Sequence, residues 1–218
     1  MEFDFDLQRI VLQYFCLLFA LCFHEAAHAA MANYCGDPTA RLMGRLTMNP
    51  VKHADPLGTV ILPIIMMVTG FPYLFGWAKP VPFNPRNLNN MRRDPVLVAL
   101  AGPGSNLLLA LVAVILLRII IIIDSAAPGI AVLGTLSMIL FTLIVINVLL
   151  LLFNIIPVPP LDGHHVLEFF LPPEGQRVLN QIGPFGILIA IFVARPWLSF
   201  SMPKVMGALE WLITIGQG

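Results

Sequence analysis

The sequence predicts an all-α polytopic membrane protein with about four to six transmembrane helices. One segment either spans or is re-entrant, and one loop is short and extended. Three observations carry this. Of 218 residues, 58% are hydrophobic and 11% charged, with a mean hydropathy of +0.88. That leaves too few polar side chains to cover a soluble domain of this size. Apolar runs long enough to cross a bilayer recur along the chain. An unusually apolar soluble core, the alternative, would leave too much apolar surface in water. The lipid bilayer is therefore the expected surrounding. Net charge is zero and the isoelectric point about 7.0, so no nucleic-acid partner is expected.

The first apolar segment covers about 7–32. It follows an acidic start, MEFDFDLQR, that lacks a basic n-region, so it reads as retained in the mature chain. A polar linker, 33–55, carries Arg41, Arg45 and Lys52. The second segment, 56–75, is apolar but broken by Gly58, Pro63, Gly70 and Pro72. A second linker, 76–94, carries Lys79, Arg86, Arg92 and Arg93. The third segment (96–123) and fourth (130–153) are long enough to span, and the connector 124–129 between them has no Lys or Arg. A Pro-rich stretch follows at 154–176, then a short fifth segment at 182–194. The tail 203–217 reads as a last span or an interfacial helix. The whole forms one membrane domain, with a core of about 10–170 and accessory C-terminal helices over 176–218.

Charge separates the two readings of segment two. If it is re-entrant, both basic linkers lie on one face of the membrane, opposite the uncharged connector. That is a clean positive-inside pattern with the N-terminus outside. If it spans, basic linkers lie on both faces.

The pattern HEAAH occupies 24–28, near the end of the first apolar segment. On a helix, positions i and i+4 share a face, so His24 and His28 can reach one ion. Glu25 then projects beside the ion. This is the arrangement by which two imidazoles hold zinc while a glutamate takes a proton from water at the metal. A five-residue pattern with three fixed positions occurs by chance in soluble proteins. At membrane depth, however, ionisable groups are costly and are usually paired or functional.

Two histidines need a third ligand. Asp162, in NIIPVPPLDGHH (154–165), stands where prolines break the exit of the fourth segment. Broken backbone is tolerated there only inside protein or beside water. Glu168 or Glu174 would be the ligand in a different class of membrane zinc protease. A metal transporter could use the same His/Asp cluster, but it would favour polar residues along a path. An inactive scaffold is at odds with the intact HEAAH. Depth favours Asp162 with a re-entrant segment two, because the first and fourth segments must run parallel for His24 and Asp162 to meet.

HEAAH in an apolar segment followed by NIIPVPPLDG resembles the site-2 protease family of intramembrane zinc metalloproteases. The likeness is greatest to short, PDZ-less bacterial and archaeal members. DPLGT (55–59) and GPGSN (102–106) are similar to that group, and the resemblance covers roughly 10–170. It implies one Zn²⁺ per chain on His24, His28 and Asp162, with Glu25 as catalytic acid/base. It implies a membrane-protein substrate cut within a transmembrane segment. It also implies a prokaryotic cell membrane, with the site toward the cytoplasmic side.

A tetrahedral oxyanion needs donors besides zinc. Asn154 is the first candidate and Asn106 the second. The linker 77–84, WAKPVPFN, is extended-favouring and is a candidate edge for an unwound substrate. His53 reads as a solvated or hydrogen-bonded loop residue, and His164 or His165 as support for Asp162. Arg118 is expected to snorkel at the far interface. The three cysteines, Cys16, Cys22 and Cys35, form no framework and read as apolar filler.

Overall fold

The computed structural model describes residues 7–69 and 76–215. Among these, four helices are long and apolar enough to cross a membrane. They are α1 (Leu7–Tyr34), α5 (Asp94–Ala126), α6 (Ala131–Asn154) and α9 (Gly186–Thr214). At 1.5 Å per residue the shortest of them, with 24 residues, is about 36 Å long, more than the hydrocarbon core requires. Between α1 and α5 lie two four-residue helices, α2 (Thr39–Leu42) and α3 (Pro50–His53). A π-helical turn, Pro56–Ile61, then runs into α4 (Leu62–Val68). Two short helices, α7 (Gly163–Phe170) and α8 (Pro173–Ile182), join α6 to α9. No strand occurs among the described residues.

Segment two is not one of the membrane-length helices: its described part, 56–69, forms only the π-helical turn and α4. The remainder, 70–75, lies outside the described residues.

The C-terminal reading needs correction. The predicted fifth segment and the separate tail are one helix, α9, with Pro196 and Pro203 inside it. Proline removes a backbone donor, yet the helix continues through both. Here the Ser199 hydroxyl donates to the Pro196 carbonyl (2.9 Å), and the Ser201 hydroxyl to that of Trp197. These hydroxyls bond carbonyls within the proline-bearing stretch; the carbonyls left without an N–H partner by the two prolines are those of Phe192 and Ser199, four residues before each.

Contacts fix the directions. His24 pairs with Asn106, and His28 with Val98, so α1 and α5 are antiparallel. A four-residue connection makes α5 and α6 antiparallel in turn. Trp197 donates to the carbonyl of Leu152, near the C-terminal end of α6. Arg118, well along α5, donates to the carbonyls of Leu212 and Ile215 at the end of α9 (3.0 and 2.5 Å). Rather than only snorkelling, that guanidinium caps the helix where its dipole is negative. One end of the bundle therefore gathers the C-termini of α1 and α6 and the N-termini of α5 and α9.

In a bilayer, association rests on close packing and interhelical hydrogen bonds. Ala110, Ala113, Val114 and Leu117 of α5 pack with Ile144, Val148 and Leu152 of α6 and Leu209 of α9. The small alanines let α5 approach its neighbours. Ile156 and Leu161, in the Pro-rich stretch, pack on Ala190 and Ala194 of α9, which holds that stretch over the end of α6.

Candidate metal centre

His24 and His28 stand one turn apart on α1, with rings nearly perpendicular (87°). Gly102 of α5 faces them. A Cβ there would lie 2.4 Å from His28 Nε2 and 2.6 Å from His24 Cε1, so only glycine allows α5 this close.

The tautomers follow from what backbone carbonyls can do. Nδ1 of His28 lies 2.7 Å from the carbonyl of Val98. A carbonyl only accepts, so Nδ1 carries the proton and Nε2 keeps its lone pair. For His24 the reasoning runs through two asparagines. The amide NH₂ of Asn147 donates to the carbonyl of Leu143 (2.8 Å). Its Oδ1 therefore accepts from the NH₂ of Asn106 (2.9 Å). Asn106 Oδ1 then accepts from His24 Nδ1–H (2.7 Å). Nε2 of His24 is left bare as well. The two bare nitrogens are 3.0 Å apart.

Asp162 approaches the same point. Its Oδ2 is 3.1 Å from His24 Nε2, and its Oδ1 is 3.3 Å from His28 Nε2. Gly163 allows this turn, since a Cβ would meet the Ile155 carbonyl at 2.3 Å. Asp162 Oδ2 is buried and accepts no hydrogen bond among the described residues. Two lone pairs and an ionised carboxylate converging in a buried space form an electron-rich cluster that only a cation relieves. Two nitrogens and one oxygen are the donor set of a three-ligand zinc site. The residues present therefore fit zinc, and His24, His28 and Asp162 would hold it. Glu168 and Glu174, the other candidates for third ligand, are not in this group.

Glu25 lies beside the centre, buried, and its Oε2 accepts from the backbone N–H of Val81 (3.0 Å). It lines a cavity of about 460 Å³ together with His24, His28 and Asp162. Leu21, Leu150 and Phe153 give the cavity apolar walls.

One wall is the extended segment 76–83. The Trp77 N–H donates to Gly58, and the Trp77 carbonyl accepts from the Thr59 hydroxyl. The Lys79 N–H donates to the His53 backbone carbonyl, and the Lys79 carbonyl accepts from Arg45. Between them, Ala78 has a buried side chain and no hydrogen bond on either backbone group among the described residues. Alternate residues of an extended chain present their N–H and C=O to opposite sides. The side chains that position this segment were not singled out from sequence. Buried Arg45 donates to the carbonyls of Lys52, Lys79 and Pro80. Buried Asp37 accepts from the Asn84 backbone N–H (2.6 Å) and the Asn87 amide (2.9 Å). Burial alone would raise the Asp37 carboxyl, yet these bonds and those from Thr39 lower it.

The remaining sequence candidates separate. Asn154 lines the cavity and gives one amide hydrogen to the Leu150 carbonyl (3.0 Å). Asn106 does not line the cavity. Its amide is committed to His24 and Asn147, so its place is behind an imidazole rather than beside an oxyanion. His53 is buried and bonded to the Thr47 carbonyl, and it belongs to no metal-capable group among the described residues. His165 lines the cavity; burial and the neighbouring His164 hold its imidazole below the ordinary value. The three cysteines are buried and unpaired. Asn147 was missed, and its lone polar side chain deep in an apolar run was the available signal.

Fold and site together define a class: a polytopic membrane protein carrying the two histidines, aspartate and adjacent glutamate of a metallopeptidase. The model of Peptidase family M50 matches residues 118–193. The chain is 40% identical over 177 residues to "Putative zinc metalloprotease YwhC" of Bacillus subtilis (strain 168), covering 79% of this chain and 75% of that one. It is 34% identical over 176 residues to "Putative zinc metalloprotease Rip2" of Mycolicibacterium smegmatis, covering 80% and 62% respectively. It is 33% identical over 202 residues to the Rip2 of Mycobacterium tuberculosis (strain ATCC 25618 / H37Rv), covering 91% and 71%. The chain belongs to Peptidase family M50, the site-2 protease family. No solved structure matches it.

Proposed function

We propose that this chain is a zinc-dependent intramembrane endopeptidase that cleaves transmembrane segments of membrane-protein substrates, using one zinc ion per chain. The observation that carries this is the pair of bare Nε2 lone pairs and the Asp162 carboxylate converging beside Glu25. Zinc, when bound, supplies Lewis acidity toward a peptide carbonyl and makes water a better nucleophile at neutral pH. Glu25 takes the proton of the attacking water and delivers it to the leaving amine nitrogen. The Val81 N–H holds the Glu25 carboxylate in place for both transfers. Asn154 retains a second amide hydrogen beyond the one given to Leu150, and it is the side-chain donor for the developing oxyanion. The apolar walls exclude bulk water.

A helical substrate must unwind before its peptide bonds can be reached. The free N–H and C=O of Ala78 offer one pairing site for an unwound strand, with specificity from the cavity walls. Arg41, Arg45, Lys52, Lys79, Arg86, Arg92 and Arg93 lie between α1 and α5, at the bundle end that holds the site. The short connection between α5 and α6, at the other end, has none. By the positive-inside rule this asymmetry supports a site toward the cytoplasm of a prokaryotic cell.

The test pairs wild type with Glu25→Gln, both purified in detergent. Zinc is counted per chain, and cleavage is read on a panel of single-span substrates. Zinc in both with cutting only by wild type supports the reading, with a loss of about 10²–10⁴-fold expected in the variant. Equal cutting by both removes Glu25 from its role, and absence of zinc from both overturns the metal centre.

A further inference from the structure

A second cluster of metal-capable side chains stands apart from the first. His164, His165 and Glu168 each offer a donor atom, and these atoms lie within 4.8 Å of one another. All three are half-buried on α7, and none belongs to the group formed by His24, His28 and Asp162. On a helix, positions 164 and 168 are i and i+4, while 165 and 168 are i and i+3, so the three share one face.

Two details go beyond proximity. The Nδ1 of His164 lies 2.6 Å from the carbonyl of Leu161. That carbonyl can only accept, so the proton sits on Nδ1 and Nε2 keeps its lone pair. A backbone carbonyl that orients an imidazole in this way is the usual support of a metal-bound histidine. It is also the device that orients His28 in the first centre. Second, His165 Nδ1 and Glu168 Oε2 are 3.5 Å apart. Ligands about 2.1 Å from a tetrahedral ion stand roughly 3.4 Å from each other, so this pair is already at ligand spacing. No lysine or arginine forms an ion pair with Glu168 among the described residues. The nearby Arg92 stacks instead over Phe169.

The position gives the cluster a consequence. His165 and Phe83 line both the cavity of the first centre and a second cavity of about 610 Å³, whose wall includes Glu168 and Arg92. His165 and Phe83 meet edge to face, with centroids 6.0 Å apart. The cluster therefore stands at the partition between the two cavities.

We propose that His164, His165 and Glu168 form a second site for a divalent transition-metal cation, whose occupancy fixes the partition between the two cavities. Two imidazoles and one carboxylate suit zinc and its neighbours rather than magnesium or calcium. Greater exposure than the first centre makes it the weaker of the two. The inference stands on α7 alone and does not depend on peptidase activity.

The experiment is equilibrium dialysis of the full chain in detergent against rising free zinc. It uses wild type, Glu168→Gln, His164→Ala and Asp162→Asn, with gel filtration to confirm that each is folded. Wild type takes up two ions in separate steps. Glu168→Gln and His164→Ala lose the weaker step, or bind it roughly tenfold or more weakly, and keep the tight one. Asp162→Asn does the reverse. Uptake of one ion by wild type, with that ion retained in Glu168→Gln, overturns the second site. Two unweakened steps in both α7 variants do so as well, because the second ion is then elsewhere. A single ion that disappears only in the α7 variants supports this site and removes the first.

Discussion

The metal centre and the extended segment beside it face the same cavity, yet they are held in opposite ways. His24 and His28 belong to a regular helix, one turn apart, and the backbone of α1 and α5 sets their spacing. The segment 76–84 has no regular structure of its own. Arg45, Thr59 and Asp37 hold it from separate places in the chain, with Glu25 bonded to its middle. A site borne on helices is specified by local spacing and then tuned by neighbours. A segment held by distant side chains has no local rule, so each support is a separate point of failure. Damage to the helices should therefore cost metal, whereas damage to the supports of 76–84 should cost catalysis with metal retained.

Gly102→Val is expected to break this contrast most severely. Its side chain would enter the space of both imidazoles, so zinc content should fall to background and cleavage should vanish. Gly104→Ala, on the same helix but with nothing within 4 Å of an added Cβ, should keep its zinc. Equal zinc in both variants would mean that close approach at residue 102 is not what seats the histidines.

Asn147→Leu touches neither metal nor cavity. It removes the acceptor for Asn106 and frees that amide to turn, so the tautomer of His24 is no longer imposed. Zinc affinity should fall about 10–100-fold, read by competition with a chelator. Asn147→Gln should restore part of it, which simple loss of packing would not allow.

Arg45→Met should leave zinc bound while kcat/KM falls about tenfold through misplacement of 76–84. Loss of zinc in this variant would erase the distinction between the two regions.

The smallest effect concerns Asp37. Its carboxyl is lowered in the folded chain from an ordinary value of 3.8, so its contribution is complete above 3.8 and fades as pH falls through the lowered value. Hydrogen-exchange protection of the Asn84 amide should therefore decline below pH 3.8 in wild type. In Asp37→Asn it should already be weak and vary less with pH.

This contrast also explains what could be read from sequence. HEAAH was legible because helical spacing alone brings its histidines together. Asp162 was legible because a carboxylate among prolines at a membrane exit has few other uses. Asn106 was placed in the right neighbourhood with the wrong task, because an amide's task depends on what lies on either side of it. Arg45 and Asp37 read as ordinary linker charges, since their carbonyl and amide partners come from residues distant in sequence. The fifth segment and the tail were read as separate elements, whereas one helix, α9, runs through Pro196 and Pro203.

The chain of amides from the Leu143 carbonyl to His24 has an implication for biogenesis. Amide donors and acceptors cannot exchange places along it, so it closes only when α1, α5 and α6 have inserted with their correct rotations. The last ligand, Asp162, emerges from the ribosome after all of these. A nascent chain that has made HEAAH but not yet residue 162 holds two of the three ligands, and its His24 tautomer stays unset until Asn106 and Asn147 have been made and inserted. A three-ligand site therefore cannot be complete until residue 162 has been made, and α9, which packs on the stretch that carries it, follows later still.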